Sequence, residues 1–290
     1  MSPSYAVLYM GLSKLLGLGL RSFVVHLFSS FTQSQYDSSL FYHKSAVGMV
    51  ILLVYVDDIL NTGTDSNLIT KLQQLLHATF HMKDLGQLKY FLGLEVHHRA
   101  NSIFLNQHIY IQDTITLAGL EDTSSVVTPM EHLHLVAVQR IIRYLRGSPT
   151  RGLFFPTSFA LQLFACSDAD WVGCPCICLS TTGWCMFLGD ALIPWKCKKQ
   201  DRVSKSSTEA EYRAMSTTCS EIISLRGLLA ELQFPQTTST PLHADNTSAI
   251  QIATNPIFHE RTKHIEVDCH SICDTLERQV ISLSYISSDL

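Results

Sequence analysis

The order of apolar runs in the second half of the chain constrains its fold more than any other feature of the sequence. Short β-branched and aromatic runs bounded by turn residues predict strands, and one long stretch of helical periodicity interrupts them. Three antiparallel strands, a helix, a strand and further helices make an α/β (α+β) domain with a mixed five-stranded sheet and flanking helices. The expected strands cover residues 161–166, 183–188, 191–195, 241–244 and 280–285, and the expected helices cover residues 208–232 and begin again near Ile265.

The first half contains one strong strand signal, the apolar and β-branched run of residues 49–56. Asp57 and Asp58 end this run, and a second short strand starts at Ile59. The sequence therefore predicts a hairpin with two acids at its tip. Residues 1–48 are interpreted as helix and loop.

Two amphipathic helices are expected after this hairpin. Residues 65–80 begin with a capping pair and repeat leucines at helical spacing. Residues 135–146 place apolar side chains on one side and three arginines on the other, and the Gly-Ser-Pro sequence at 147–149 ends the helix. With a joint near residues 126–131, these patterns divide the chain into segments 1–130, 131–157 and 158–290.

Composition excludes several classes of protein. Hydrophobic residues make up 46% and charged residues 16% of the 290 residues, so the chain can bury a core and is not disordered. A formal net charge of -4 excludes a basic footprint over the whole chain, so any contact with nucleic acid has to rest on a local patch. Lys14 and Arg21 interrupt the apolar stretch of residues 6–28, which favours an amphipathic helix over a signal peptide or a membrane span.

The nine cysteines all lie in the second half and are odd in number. A secreted disulfide scaffold would be shorter and evenly paired, so we expect free thiols in a reducing compartment. The spacing of Cys174, Cys176 and Cys178 matches no zinc pattern with a second pair of ligands. These features predict an intracellular protein, cytoplasmic or nuclear, that is not secreted.

Three acids stand where a metal site needs them. Asp168 and Asp245 each end an apolar strand, and acids at strand ends can point into a common cleft outside the sheet. Glu211 lies on the long helix in phase with Met215 and Ile222. We therefore expect Glu211 on the buried stripe, where a carboxylate needs a partner such as a metal ion.

The neighbouring acids have other expected roles. Glu209 lies on the polar face of the long helix and follows Ser206 by three residues, the spacing of a capping box. We expect Glu209 to face solvent or to cap the helix. Glu266 and Asp268 open the last helix, and either one offers a fourth ligand.

This ligand set suits two magnesium ions, with manganese as the alternative cation. Two ions held about 4 Å apart can activate a water and stabilise the leaving oxygen of a phosphodiester. The alternative for any single acid is an ordinary surface charge. Surface charge is a poorer explanation for three acids together, when two of them lie at strand ends and the third lies on the buried face of a helix.

Six motifs occur in the second half: residues 167–171 (SDADW), 180–183 (STTG), 198–200 (KKQ), 206–214 (SSTEAEYRA), 244–246 (ADN) and 262–266 (TKHIE). Together they closely resemble the ribonuclease H domain of copia-type retrotransposons. The resemblance implies cleavage of the RNA strand of RNA–DNA hybrids, with Asp168, Glu211, Asp245 and Glu266 at the catalytic positions and Asp268 as the alternative to Glu266. The implied partner is the hybrid or another nucleic acid, with neither a membrane nor a small-molecule substrate.

The first half resembles the reverse transcriptase of the same family. Residues 55–58 (YVDD) look like its hairpin motif, preceded by residues 37–41 (DSSLF) and followed by residues 90–95 (YFLGLE). Asp57 and Asp58 would then be the polymerase carboxylates of a palm remnant.

The sequence also departs from the family pattern. Polymerase chemistry needs a third carboxylate from an upstream strand, but residues 1–48 contain one acid, Asp37, at a position that is not catalytic in the family. The sequence jumps after Met130, so we expect an internally deleted and truncated polyprotein that is inactive as a polymerase. The alternative to an active ribonuclease H is a non-catalytic pseudogene product or a nucleic-acid-binding remnant.

Overall fold

The computed structural model describes residues 4–9, 30–55, 58–80, 83–84, 86–121, 123–126, 134–158, 160–173, 177–255 and 266–287. The chain divides into two units, residues 1–157 and 158–290. Among the helices of the described ranges, none has the length and apolar character needed to cross a membrane.

The first unit is built on a six-stranded sheet with the order β2-β3-β4-β5-β1-β6. The expected hairpin is confirmed, because β4 and β5 are antiparallel with Tyr55 opposite Asp58, while Asp57 lies outside the described residues. The elements are β1 (Ser4–Tyr9), β2 (Thr32–Gln33), β3 (Leu40–Lys44), β4 (Met49–Tyr55), β5 (Asp58–Gly63), helix α1 (Ser66–Phe80) and β6 (Lys83–Asp84).

The interpretation of residues 1–48 as helix and loop is wrong where the structure describes them. Strands β1, β2 and β3 occupy parts of this stretch, and β1 pairs with β5 along its whole length. A short apolar run fits either a strand or a helix, and here the pairing partner decides. Residues 10–29, which hold most of the expected amphipathic helix, lie outside the described residues.

Helix α1 begins as its sequence predicts, but its expected leucine stripe is only partly right, because Leu75 is 42% exposed. The Asp65 Oδ1 atom accepts a hydrogen bond of 3.0 Å from the Leu68 amide, which caps the first turn. Leu72 and Leu76 are buried against the hairpin, together with Ile69.

A second sheet of the first unit has the order β10-β9-β8-β7, and helices α2 and α3 contact each other beside it. Ile142 of α3 packs on Ile111 and Ile115 of α2, but Val136 and Ile141 are exposed, so the expected apolar stripe of α3 is partly wrong. The elements are β7 (Tyr90–Phe91), β8 (Leu94–Arg99), β9 (Ser102–Asn106), α2 (His108–Leu117), α3 (His134–Gly147) and β10 (Gly152–Pro156).

The second unit contains the expected mixed five-stranded sheet. Its order is β13-β12-β11-β14-β15, with β11, β12 and β13 antiparallel and with β14 parallel to both β11 and β15. The elements are β11 (Leu163–Asp170), β12 (Thr181–Leu188), β13 (Ala191–Lys199), α4 (Ser207–Glu231), β14 (Thr240–Ala244), α5 (Thr247–Thr254), α6 (Glu266–Glu277) and β15 (Ile281–Tyr285).

The core of this unit lies between the sheet and helix α4. Met215 and Ile222 of α4 are fully buried against Leu163 and Met186 of the sheet. Helix α5 was not expected from the sequence, although the Asn246 Oδ1 atom caps it by accepting a hydrogen bond of 2.9 Å from the Ala249 amide.

Candidate metal centre

Strands β11 and β14 bring two aspartates to the same end of the sheet. The two strands are parallel neighbours, but they pair only at Ala165 with Leu242 and at Cys166 with His243. Asp245 directly follows β14, whereas Asp168 lies within β11, which continues to Asp170. The expectation that Asp168 ends its strand is therefore wrong, since β12 remains paired with β11 as far as Asp170.

Helix α4 supplies the third carboxylate from inside the fold. Glu211 is 5% exposed, and its Oε1 atom accepts a hydrogen bond of 3.0 Å from the Ala169 amide of β11. Ala169, Ala210 and Ala214 form a contact of small side chains between this helix and the strand. These small residues let the helix approach β11 closely enough for Glu211 to reach the strand edge that β14 leaves open.

The structure brings Asp168, Glu211 and Asp245 together. One carboxylate oxygen from each residue lies within 4.8 Å of the other two. The Glu211 Oε2 atom is buried and has no hydrogen-bond partner among the described residues. Burial, followed by the negative charges of Asp168 and Asp245, raises the pKa of Glu211 to about 8, although the Ala169 amide opposes the shift.

This arrangement fits a divalent cation. A buried, unpartnered carboxylate oxygen is unfavourable, and two further carboxylates beside it increase the repulsion. Hard cations such as Mg²⁺ and Mn²⁺ prefer oxygen ligands of this type. Bound cations would therefore remove an electrostatic cost that the fold otherwise carries.

The remaining predicted site residues lie elsewhere or outside the described side chains. Asp268 is partly buried on α6 and does not belong to the described carboxylate cluster. Glu266 is the first residue of α6, but its side chain is outside the described part of the chain, as is the whole of Asp57. Asp58 is the first residue of β5, in the other unit.

Glu209 caps α4 but does not face solvent. Its amide donates a hydrogen bond of 3.2 Å to the Ser206 Oγ atom, and its Oε2 atom accepts one of 2.8 Å from the Lys205 amide. Its Oε1 atom forms an ion pair of 2.7 Å with Arg213. Glu209 is 4% exposed, so the expectation of a solvent-facing side chain is wrong and that of a cap is right.

The sequence did not predict the position of Gln200, whose buried side chain lies between the sheet and the start of α4. Its Nε2 atom donates hydrogen bonds of 2.9 Å to the Ala210 carbonyl and 3.1 Å to the Thr182 Oγ1 atom. Its Oε1 atom accepts a hydrogen bond of 2.9 Å from the Ser204 hydroxyl. The buried amide thereby ties the residue before Glu211 to the sheet, and the only sequence signal was its place in the KKQ motif.

A cavity of about 620 Å³ opens beside two of the carboxylates. Asp168 and Asp245 line it together with Cys166, Cys185 and Trp195. The two cysteines are cross-strand partners, and burial followed by the Cys185 thiol raises the pKa of Cys166 to about 11. None of the seven cysteines that the structure describes forms a disulfide.

Comparison with known proteins places the chain among transposon proteins. The model of the reverse transcriptase (RNA-dependent DNA polymerase) family matches residues 22–132. The retrovirus-related Pol polyprotein from transposon RE1 of Arabidopsis thaliana is 32% identical over 320 residues, which cover 93% of this chain and 22% of that protein. An uncharacterized mitochondrial protein of the same plant is 33% identical over 221 residues, covering 59% of this chain and 92% of that protein.

Among solved structures, the foamy viral protease-reverse transcriptase in complex with RNA/DNA hybrid aligns with 98% of this chain and 44% of that chain, at 11% identity and a TM-score of 0.49. The chain spans about a fifth of the length of the transposon polyproteins that it matches. It belongs to the family of retrovirus-related Pol polyproteins of transposons.

Proposed function

We propose that residues 158–290 form a ribonuclease H that hydrolyses the RNA strand of RNA–DNA hybrids with two divalent cations. The observation that carries this proposal is the convergence of Asp168, Glu211 and Asp245, with the Glu211 Oε2 atom buried and unpartnered among the described residues. Mg²⁺ is the expected cation and Mn²⁺ the expected substitute. The motifs shared with copia-type elements support the choice of substrate and of lineage, and the free thiols support an intracellular site of action.

The three carboxylates differ in solvent exposure, and we propose a different role for each side of the centre. Glu211 is buried and held by the Ala169 amide, so it fixes the inner side of the centre. Asp168 is exposed and Asp245 is partly exposed, so they face the side from which a nucleic acid would arrive. Bound cations would supply an activated water and stabilise the leaving oxygen of a phosphodiester. We propose Glu266, or alternatively Asp268, as the fourth ligand.

We also propose that the first unit does not act as a polymerase. The strand that borders β5 opposite Asp58 is β1, and Ser4–Tyr9 contains no acid. Asp37 is engaged elsewhere, because its Oδ1 atom accepts hydrogen bonds of 2.9 Å from the Ser39 amide and 2.6 Å from the Ser39 hydroxyl. No upstream carboxylate among the described residues therefore completes a site with Asp58.

Two aspartates of β11 provide a matched test of the proposed nuclease. Asp168 and Asp170 are both exposed on the same strand and the same face of the sheet, but only Asp168 belongs to the carboxylate cluster. We expect Asp168→Asn to lower Mg²⁺-dependent cleavage of a labelled RNA–DNA hybrid by the full chain at least about a thousandfold. Asp170→Asn removes the same charge and should change cleavage less than about threefold.

The outcome separates the proposal from its alternative. Cleavage that Asp168→Asn abolishes and Asp170→Asn preserves supports the nuclease. A purified, folded chain that cleaves no hybrid with either Mg²⁺ or Mn²⁺ is instead the non-catalytic remnant of a decayed element.

A further inference from the structure

Two cysteines lie side by side on the sheet that carries the carboxylate cluster. Cys166 of β11 is directly opposite Cys185 of β12 in the antiparallel register. Next to β12, the Gly189 amide donates a hydrogen bond of 2.8 Å to the Gln162 carbonyl. Hydrogen-bonded pairs alternate along an antiparallel ladder, so Cys166 and Cys185 are also such a pair, with Cα atoms about 5.5 Å apart. A disulfide can span this separation.

The two thiols project to the same face of the sheet and meet there. Side chains of directly opposite residues lie on one face, where they contact each other. The neighbouring pair on this face, Phe164 and Phe187, stacks its rings with centroids 4.8 Å apart. Burial, followed by the charge of the Cys185 thiol and a hydrogen bond with it, raises the pKa of Cys166 to about 11. The thiols are therefore within reach of each other in the fold as it stands.

Cys166 lies where the two strands of the carboxylate cluster separate. It is the last residue of β11 that pairs with β14, opposite His243. Asp168 follows Cys166 by two residues, and Asp245 follows His243 by two residues. The distance between the two aspartates therefore depends on how β11 leaves β14 at Cys166. Both aspartates and both residues of the pair Cys166 and Cys185 line the cavity beside the cluster.

We propose that Cys166 and Cys185 form a reversible disulfide that weakens the binding of divalent cations at the adjacent carboxylate cluster. For its effect, this inference rests on the proposed metal centre, whereas the disulfide itself depends only on the register of β11 and β12. The bond draws the Cys166 side chain towards β12 and away from β14, and so shifts the part of β11 that positions Asp168. Mg²⁺ demands near-ideal octahedral geometry, so its site tolerates such a shift poorly.

The oxidant is a small-molecule disulfide of the type of oxidised glutathione. One protein thiolate attacks a sulfur of the oxidant, which forms a mixed disulfide and releases one glutathione. The second protein thiolate attacks the protein sulfur of the mixed disulfide, closes the bond between Cys166 and Cys185 and releases the other glutathione. The two protein thiols lose two electrons and two protons, which leave with two molecules of reduced glutathione. An excess of reduced thiol reverses both steps.

The first measurement detects the bond independently of activity. The full chain is incubated for hours with mixtures of oxidised and reduced glutathione, because burial slows the exchange. The remaining thiols are alkylated, and the peptides are mapped by mass spectrometry. We expect a peptide pair joined through Cys166 and Cys185 that disappears after reduction with dithiothreitol. Cys197 of β13 is exposed and opposite Gly183, so a glutathione adduct on it shows that the oxidant has reacted with this sheet.

The second measurement links the bond to the carboxylate cluster. Thermal stabilisation by Mg²⁺ and cleavage of a labelled RNA–DNA hybrid are measured for the oxidised chain and for the same chain after reduction. Oxidation should raise the Mg²⁺ concentration needed for half of either effect roughly tenfold or more, and reduction should restore it. Cys166→Ser and Cys185→Ser should make the chain insensitive to the oxidant. The matched control Cys197→Ser should respond as the wild-type chain does.

The inference is overturned if Cys197 is glutathionylated while no bond between Cys166 and Cys185 forms, or if the bond forms and the Mg²⁺ dependence does not change. It is also overturned if Cys166→Ser and Cys185→Ser respond to the oxidant as the wild-type chain does, because another cysteine would then be responsible. A reduced chain that Mg²⁺ does not stabilise contradicts both the metal centre and this inference. A bond that weakens stabilisation by Mg²⁺ in a chain that cleaves no hybrid supports this inference and overturns only the proposed nuclease.

Discussion

The two units of the chain each place an aspartate on a strand of a sheet, but they surround that residue differently. In the second unit, a helix and a neighbouring parallel strand each contribute a further carboxylate within 4.8 Å of Asp168. In the first unit, the strand that borders β5 opposite Asp58 contributes no acid. A two-metal site needs ligands from separate elements, so a motif on one hairpin is not sufficient.

Burial adds to this difference. In the second unit, the carboxylate of Glu211 is buried at a cost in folding free energy, and burial raises its pKa to about 8. Such a cost is characteristic of functional sites, because a fold optimised only for stability would replace that residue. Among the described groups of the first unit, Asp65 shows the opposite shift, since the Leu68 amide lowers its pKa and the residue caps a helix.

The largest effect that we expect is an all-or-none contrast between the two activities. The purified chain should cleave the RNA strand of a hybrid with Mg²⁺ and should not extend a DNA primer on an RNA template. Among the described residues, three carboxylates converge in the second unit and not in the first. Both reactions can be followed in one tube with differently labelled primer and template strands. Primer extension by the chain would show that the hairpin motif suffices for polymerase activity and would contradict the proposed difference between the two units.

A second prediction concerns stability without metal. Because folding raises the pKa of Glu211 above the ordinary value of 4.5 to about 8, the folded state binds its proton more tightly. The second unit should therefore lose stability as the pH rises from about 5 to about 8, by at most about 5 kcal/mol. All three tryptophans lie in residues 158–290, so thermal unfolding followed by tryptophan fluorescence in EDTA reports on this unit alone.

A variant of Glu211 and added Mg²⁺ test whether this carboxylate causes the pH dependence. Glu211→Gln should remove most of this pH dependence, and Mg²⁺ should restore stability to the wild-type chain at pH 8. Asp190→Asn, in the exposed turn between β12 and β13, is the control and should keep the wild-type dependence. Equal melting temperatures for the wild-type chain at pH 5 and pH 8 in EDTA would contradict the raised pKa.

A smaller effect is expected at Gln200. Gln200→Ala removes three buried hydrogen bonds and should cost about 1–3 kcal/mol of stability. Since Gln200 holds the residue before Glu211, kcat for hybrid cleavage should fall roughly tenfold with little change in KM. Gln251→Ala, on the exposed face of α5, should change neither quantity. A normal kcat in Gln200→Ala would reduce Gln200 to a purely structural residue.

Local patterns predicted the central hairpin of the first sheet and most strands of the five-stranded sheet. The β4–β5 hairpin, helix α1 and the mixed sheet of the second unit follow from β-branched runs, capping residues and turn residues that act over a few positions. Strand β1 was not predicted, because its apolar residues fit two periodicities and only its partner β5 selects one.

The sequence predicted which three carboxylates form the candidate site, but not how the residues around them are buried and bonded. Helical phase was enough to separate Glu211 from Glu209 as the residue that faces the sheet. It could not show that Glu209 is buried too, because that depends on Arg213 closing over it. The extension of β11 past Asp168 and the position of Gln200 depend on contacts between elements distant in sequence, which no local pattern encodes.

The central claim, that three converging carboxylates form a catalytic metal centre, is tested most directly by the two glutamates of α4. Hybrid cleavage with saturating Mg²⁺ should be measured for the full chain carrying Glu211→Gln or Glu209→Gln, with folding checked by circular dichroism. We predict that Glu211→Gln lowers cleavage by at least about three orders of magnitude. Glu209→Gln should cost about 1–3 kcal/mol of stability through the weakened ion pair and keep cleavage within about tenfold. If Glu209→Gln abolishes cleavage and Glu211→Gln does not, the assignment of the centre is wrong.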